Sequence, residues 1–141
     1  MKKFIDFVNE RKVKRKSSDP AEARSLMKQS KNRFKDLKQL PLNNDNASFR
    51  FEDAYEVLRE ALQSFLSFEG YKPYSHEAIF AFASDKELIS EADIIKGNRY
   101  REIRNDINYR GKVVTKDETE EIISFITKIL PILEKKFEIK N

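Results

Sequence analysis

Between Arg99 and Gly111 the chain reads RYREIRNDINYRG, with four arginines, two asparagines and two tyrosines in one short stretch. On a helix of about 100° per residue, with Ile103 at zero, Ile107 falls near 40° and Tyr100 near 60°, an apolar stripe. Arg104, Asn108, Arg101 and Asn105 then fall near 100°, 140°, 160° and 200°, a continuous polar strip along the edge of that stripe. Arg110 has Asp106 four residues back and Arg99 has Glu102 three residues ahead, spacings suited to surface ion pairs. Arg101 and Arg104 have no carboxylate at those spacings. Two cations one turn apart repel unless an anion bridges them. A tertiary Asp or Glu is one candidate. A phosphate of a nucleotide or an RNA backbone is the other, matched to the planar fork of a guanidinium.

The elements that must hold this strip are helical. The sequence DPAE at 19–22 offers Asp19 as an N-cap, Pro20 in the first turn and Glu22 to complete a capping box. The helix it starts carries Ala23, Leu26, Ser30, Phe34 and Leu37 on one face and ends before LPLNNDNAS. A helix over about 48–69 has the clearest period, Phe51, Tyr55, Leu58, Leu62 and Phe65, and stops at Gly70. A short helix follows with Ile79, Phe80 and Phe82, and Ser84 with Glu87 and Ser90 with Asp93 mark two further starts. The arginine helix is expected over about 98–110, ended by Gly111, with a break at Gly97 because Ile94 and Ile95 are out of phase with Ile103. Thr115 and Glu118 cap a final helix to about 138, with Ile122, Ile126, Ile129, Leu133 and Phe137 as its seam and a disturbance at Pro131. The fold class is all-α, an antiparallel up-and-down bundle of four to five main helices. Residues 1–17 are expected as a basic N-terminal arm or helix and 18–141 as the bundle, with no β-sheet.

Composition bounds the rest. The chain has 141 residues, 39% hydrophobic and 37% charged, with three Gly, four Pro and no Cys. That excludes disulfides, thiolate metal sites and cysteine catalysis. MKKFIDFVNE has neither the apolar core of a secretory leader nor the acid-poor pattern of a transit peptide, so the cytoplasm is the expected compartment. No apolar run is long enough to span a bilayer. Residues 1–40 hold 13 Lys+Arg against 5 Asp+Glu, whereas 41–141 hold 15 against 19. Such an arm fits either a solvated Lys-rich face or contact with an anionic partner.

Arg104-Asn105, then Asn108-Tyr109, a Gly and a long final helix with an internal Pro resemble the HEPN domain family. DPAEARSLMKQSKNRFKDL is similar to its first core helix, and FEDAYEVLREALQSFLSFEGYKPYSHEAI to its second helix and the approach to its third. The resemblance spans about residues 18–138 in the right order. It implies a homodimer with the motif helices facing, phosphate binding by Arg104 with Arg101, Asn105 and Asn108, and in some members metal-independent RNA cleavage to a cyclic phosphate. It implies no cofactor and no metal, and for some members a toxin–antitoxin pairing with a small nucleotidyltransferase. The family's motif His, five residues after the Arg, is here Tyr109. A phenol with an ordinary pKa near 10 is a poor base at neutral pH, and Asn108 does not titrate. The chain's one histidine, His76, is expected to pack or to serve a helix terminus. Three readings follow: a nucleotide- or RNA-binding dimer with a degenerate ribonuclease site, an active ribonuclease toxin using Arg104, Asn108 and Tyr109, and a non-enzymatic partner of a nucleotidyltransferase.

Overall fold

A computed structural model describes residues 2–140. Its elements are α1 (Phe4–Asn9), β1 (Val13–Arg15), α2 (Pro20–Leu37), α3 (Ala47–Glu69), β2 (Tyr71–Pro73), α4 (His76–Asp85), α5 (Glu91–Arg110) and α6 (Lys116–Lys140). The protein is an all-α helical bundle, with one small two-stranded ribbon that the sequence reading did not anticipate. Helix α3 is the centre. Phe51, Tyr55, Leu58, Leu62 and Phe65 are fully buried, and so are Ala54, Val57, Ala61 and Leu66 on the flanks. That width lets α3 pack against α2, α4, α5 and α6 at once.

Caps hold the surrounding helices. The Asp19 carboxylate accepts from the Glu22 amide at 2.9 Å, as expected, but the return bond is replaced. Glu22 instead accepts from Ser67 Oγ at 2.7 Å, and the Asp19 amide donates to the Ser67 carbonyl at 3.0 Å, tying α2 to the end of α3. The buried seam of α2 is Ala23, Met27, Ser30, Phe34 and Leu37; Leu26, expected on this face, is half-buried beside Met27. The Thr115–Glu118 box forms both ways at 3.2 Å, and every seam residue expected of α6 is buried. Pro131 lies inside α6, where its missing N–H leaves the Thr127 carbonyl without a helical donor; both residues are exposed, so water can reach it.

Three expectations are corrected. Helix α4 runs through Ser84, which therefore starts nothing, and Glu87 takes a left-handed backbone. Helix α5 is continuous from Glu91 to Arg110 and does not break at Gly97. A Cβ there would lie 2.5 Å from Phe80 Cε1, so the glycine is where α5 closes onto α4. The arm does not continue as helix through RKVKRK either. Arg11 turns left-handed, and Val13–Arg15 pairs antiparallel with Tyr71–Pro73. Gly70 permits this: besides ending α3 in the left-handed region, it admits Lys16, whose carbonyl would meet a Cβ at 2.5 Å. Phe4, Phe7 and Val13 join the core, with the Phe4 ring edge-on to Tyr71 and Phe82.

Candidate phosphate-binding site

Helix α5 is anchored first by its N-terminal half. Ser90 caps it by accepting from the Asp93 amide at 3.2 Å, and buried Asp93 pairs with Lys128 of α6 at 3.0 Å. Tyr100 is buried with its ring edge-on to Phe51 and Phe125, and its hydroxyl donates to Glu121 at 3.1 Å. Burial, with the Glu121 carboxylate, pushes the Tyr100 phenol well above its usual range. Ile103 and Ile107 are half-buried against the core, so the second half of α5 lies at the edge of the bundle.

That edge presents the polar strip. The Arg101 side chain is only 17% exposed; its Nε donates to Asn98 Oδ1 at 3.3 Å, and its guanidinium is 3.8 Å from Glu102, a 70% exposed side chain. Arg99 consequently lacks the Glu102 partner expected for it, whereas Arg110 does meet Asp106, at 3.7 Å. The Arg104 guanidinium lies over the Tyr55 ring, 5.7 Å from its centroid. With the Asn108 amide turned to suit its neighbours, its oxygen accepts from Arg104 Nε at 3.2 Å and its nitrogen donates to Glu52. Among the described residues Arg104 has no carboxylate at ion-pair distance. Asn105 is half-buried beside it. Tyr109 is 79% exposed and, among the described residues, makes no hydrogen bond or ring contact with these groups.

Three residues outside the sequence-derived set complete the cluster. Tyr55, on α3, shares a hydrogen bond of 3.1 Å with His76 Nδ1, and the two rings stack at 5.8 Å. Arg59, one turn further along α3, donates to Glu56 (Nε–Oε1 3.0 Å) and to Gln63. His76 opens α4 and so stacks on Tyr55 at the helix terminus expected for it, but within the field of the arginines. Burial, then the Arg59 and Arg104 guanidiniums, with Arg101, push its imidazole below the ordinary value; Glu56 works against them. The imidazole is therefore neutral at pH 7. Burial pushes the Tyr55 phenol far upward despite the same arginines, so it stays protonated. Burial opposes the ionised form of Glu56, but Arg59, helped by Arg33 and His76, holds its carboxyl below the usual range.

One carboxylate thus answers Arg59, one exposed carboxylate stands near Arg101, and none answers Arg104. The arrangement can hold an anion at Arg104, flanked by amide donors, with a neutral imidazole nearby. Comparison with family models, with curated proteins and with solved structures gives no match. No helix among the described residues is long and apolar enough to cross a membrane.

Proposed function

We propose that this chain is a HEPN-like protein that binds the phosphate of RNA or of a nucleotide on the Arg101–Arg104 strip, as a homodimer. The observation that carries the reading is Arg104, a half-buried guanidinium held by a ring face and an amide but by no carboxylate. A cation in such a setting gains more from a phosphate than a fully solvated one does, because fewer waters compete for it. Asn105 follows Arg104 on the strip, half-buried, while the Asn108 amide is already engaged, its nitrogen by Glu52 and its oxygen by Arg104, and Glu52 bounds the strip on the α3 side. Dimerisation draws support from exposed apolar groups at the same end of the bundle: Phe49, Tyr109 and Val113 are 64%, 79% and 75% exposed. Ser48 accepts the Val114 amide at 3.1 Å, which brings the first and last of these segments together. A two-fold contact through this face would bury them and bring two Arg104 strips close. In a monomer the same face would be open to another protein, such as a small nucleotidyltransferase.

The test is Arg104→Ala with a labelled single-stranded RNA followed by fluorescence anisotropy. Loss of a charge-assisted contact should cost about 2 kcal/mol, roughly a thirtyfold weaker Kd, with the helical circular dichroism intact. A melting temperature that falls while binding holds would make Arg104 a structural residue instead.

A second reading, cleavage in addition to binding, is favoured by His76. The imidazole absent at position 109 is supplied to the cluster from α4, in the neutral form that a base requires. It would take the proton of an RNA 2′-hydroxyl as that oxygen attacks the adjacent phosphorus and the P–O5′ bond breaks. The 5′-oxygen takes a proton from solvent, leaving a 2′,3′-cyclic phosphate. Cleavage that is lost in His76→Asn while binding persists would support it; wild-type protein that binds RNA and never cuts it would exclude it. Tyr109→His measures whether the motif position adds to the activity.

A further inference from the structure

The basic arm is not a loose tail but one strand of the ribbon, and the ribbon ends beside the arginine cluster. In the β1–β2 register Lys14 stands directly opposite Lys72, both exposed on the outer face. Directly opposed side chains have Cβ atoms about 5 Å apart, and like charges there repel. Around this pair, Arg11, Lys14, Arg15 and Lys72 have no carboxylate at ion-pair distance among the described residues; Glu10 and Glu22 are taken by Lys12 and Lys16. Arg15 lies over the Tyr71 ring and Lys72 over Tyr74, a tyrosine 60% exposed.

The ribbon also leads somewhere. Between it and helices α2 and α3 runs a groove of about 540 Å³ lined by Lys16, Gln29, Gln63, Tyr71 and Lys72, with Glu22 neutralised by Lys16. Gln63 on its wall is the same side chain that accepts from Arg59 of the cluster. Along the chain, Tyr74 is two residues from His76. Lys72 thus joins the groove, with its amides Gln29 and Gln63, to the outer face of the ribbon, where Lys14 stands opposite and the exposed Tyr74 ring adjoins. Cations, an aromatic face and amides in such sequence are what a single strand of nucleic acid uses, phosphates on the cations and bases on the ring and amides.

We infer that the β-ribbon and this groove form a second binding strip for single-stranded RNA, with Lys14 and Lys72 on the backbone and Tyr74 under a base, continuing toward the Arg59–His76 cluster. The inference rests on the reading of that cluster only for the strand's direction. Its test uses an RNA of about 12 nucleotides, a length typical of such strips. Binding of the full chain is measured over a range of KCl for the wild type, for the double variant Lys14→Gln/Lys72→Gln, for Tyr74→Ala and for Arg104→Ala. The double variant should bind about tenfold more weakly at low salt, and its slope of log K against log salt should be shallower by about 1.4, two phosphates at about 0.7 each. Its melting temperature should hold or rise, since a repulsion is removed. Tyr74→Ala should weaken binding with the slope unchanged. AMP binding should be the same in the double variant as in the wild type. An unchanged salt slope in the double variant would overturn the inference. So would lysine-dependent binding to phosphatidylserine vesicles without RNA binding, which would make the ribbon a membrane-surface contact. If Arg104→Ala leaves RNA affinity intact while the double variant loses it, the ribbon stands and the cluster reading falls. If AMP binds and the longer RNA gains nothing over it, the cluster stands and the ribbon falls.

Discussion

Gly97→Ala puts one methyl group where the helix carrying Arg101 and Arg104 meets the helix carrying His76. The new Cβ would lie 2.5 Å from Phe80 Cε1, 3.1 Å from Cδ1 and 3.4 Å from Cζ. Carbon atoms prefer about 3.5–4.0 Å, so the contact must open by about 1 Å. Phe80 cannot simply swing aside: it is fully buried and its ring lies 6.5 Å from that of Tyr55. Alanine in a helix interior gains about 1 kcal/mol over glycine. Overpacking a filled core costs about 1–3 kcal/mol. The net expectation is destabilisation by about 1 kcal/mol, a fall in melting temperature of about 4 °C for a chain of this size. Urea and thermal unfolding followed by circular dichroism measure it directly. RNA affinity should fall as well under conditions where the variant is fully folded, because α5 shifts against Tyr55 and His76. A variant stabilised by about 1 kcal/mol, the outcome for an exposed helical glycine, would refute the close approach of α5 to α4.

Leu62→Ala, at the centre of α3, should cost about 2–5 kcal/mol by leaving a cavity, read from the urea midpoint; a change within error would deny that face to the core. Tyr109→Ala should leave unfolding of the isolated subunit within about 0.5 kcal/mol while weakening self-association measured by light scattering. His76, the single histidine, is faced by Tyr55, Glu56 and Arg59 of α3 and by Arg101 and Arg104 of α5. Its folded pKa is lowered, so as pH falls through the unfolded value of about 6.5 the unfolded chain takes up a proton first. Stability should therefore decline from neutral pH until the folded value is passed and then level off, and His76→Asn should flatten that window. Glu10, Glu22 and Glu56, held below the ordinary carboxylate value, add their own losses only at more acid pH.

The long helices were legible because their seams repeat at 3.6 residues and their ends carry chemical signals: Asp19, Gly70 and Thr115 with Glu118 all act where they stand in the sequence. Gly97 misleads because the phase argument compares Ile94 and Ile95 with Ile103 and passes over the glycine itself. The seam of α5 in fact runs Ile94, Gly97, Tyr100, with the glycine as its smallest member, and its reason is the Phe80 ring from another helix. The ribbon escaped because three-residue strands show no period, and Val13 finds Pro73 only through the fold. The site divided in the same way. A helical wheel identified Arg101, Arg104, Asn105 and Asn108 as one strip and Arg104 as unpaired along its own helix. It could not reveal that Tyr55 would lie beneath that guanidinium, or that His76 would join from α4, since those contacts exist only where α3, α4 and α5 converge.

A crystal structure determined with AMP at saturating concentration shows most directly whether an anion belongs on Arg104. A phosphate oxygen should lie about 3 Å from the Arg104 guanidinium, with an Asn105 or Asn108 amide donating to the same group. Density for the nucleotide elsewhere on the protein, with Arg104 still bonded only to Asn108 over the Tyr55 ring, would contradict it.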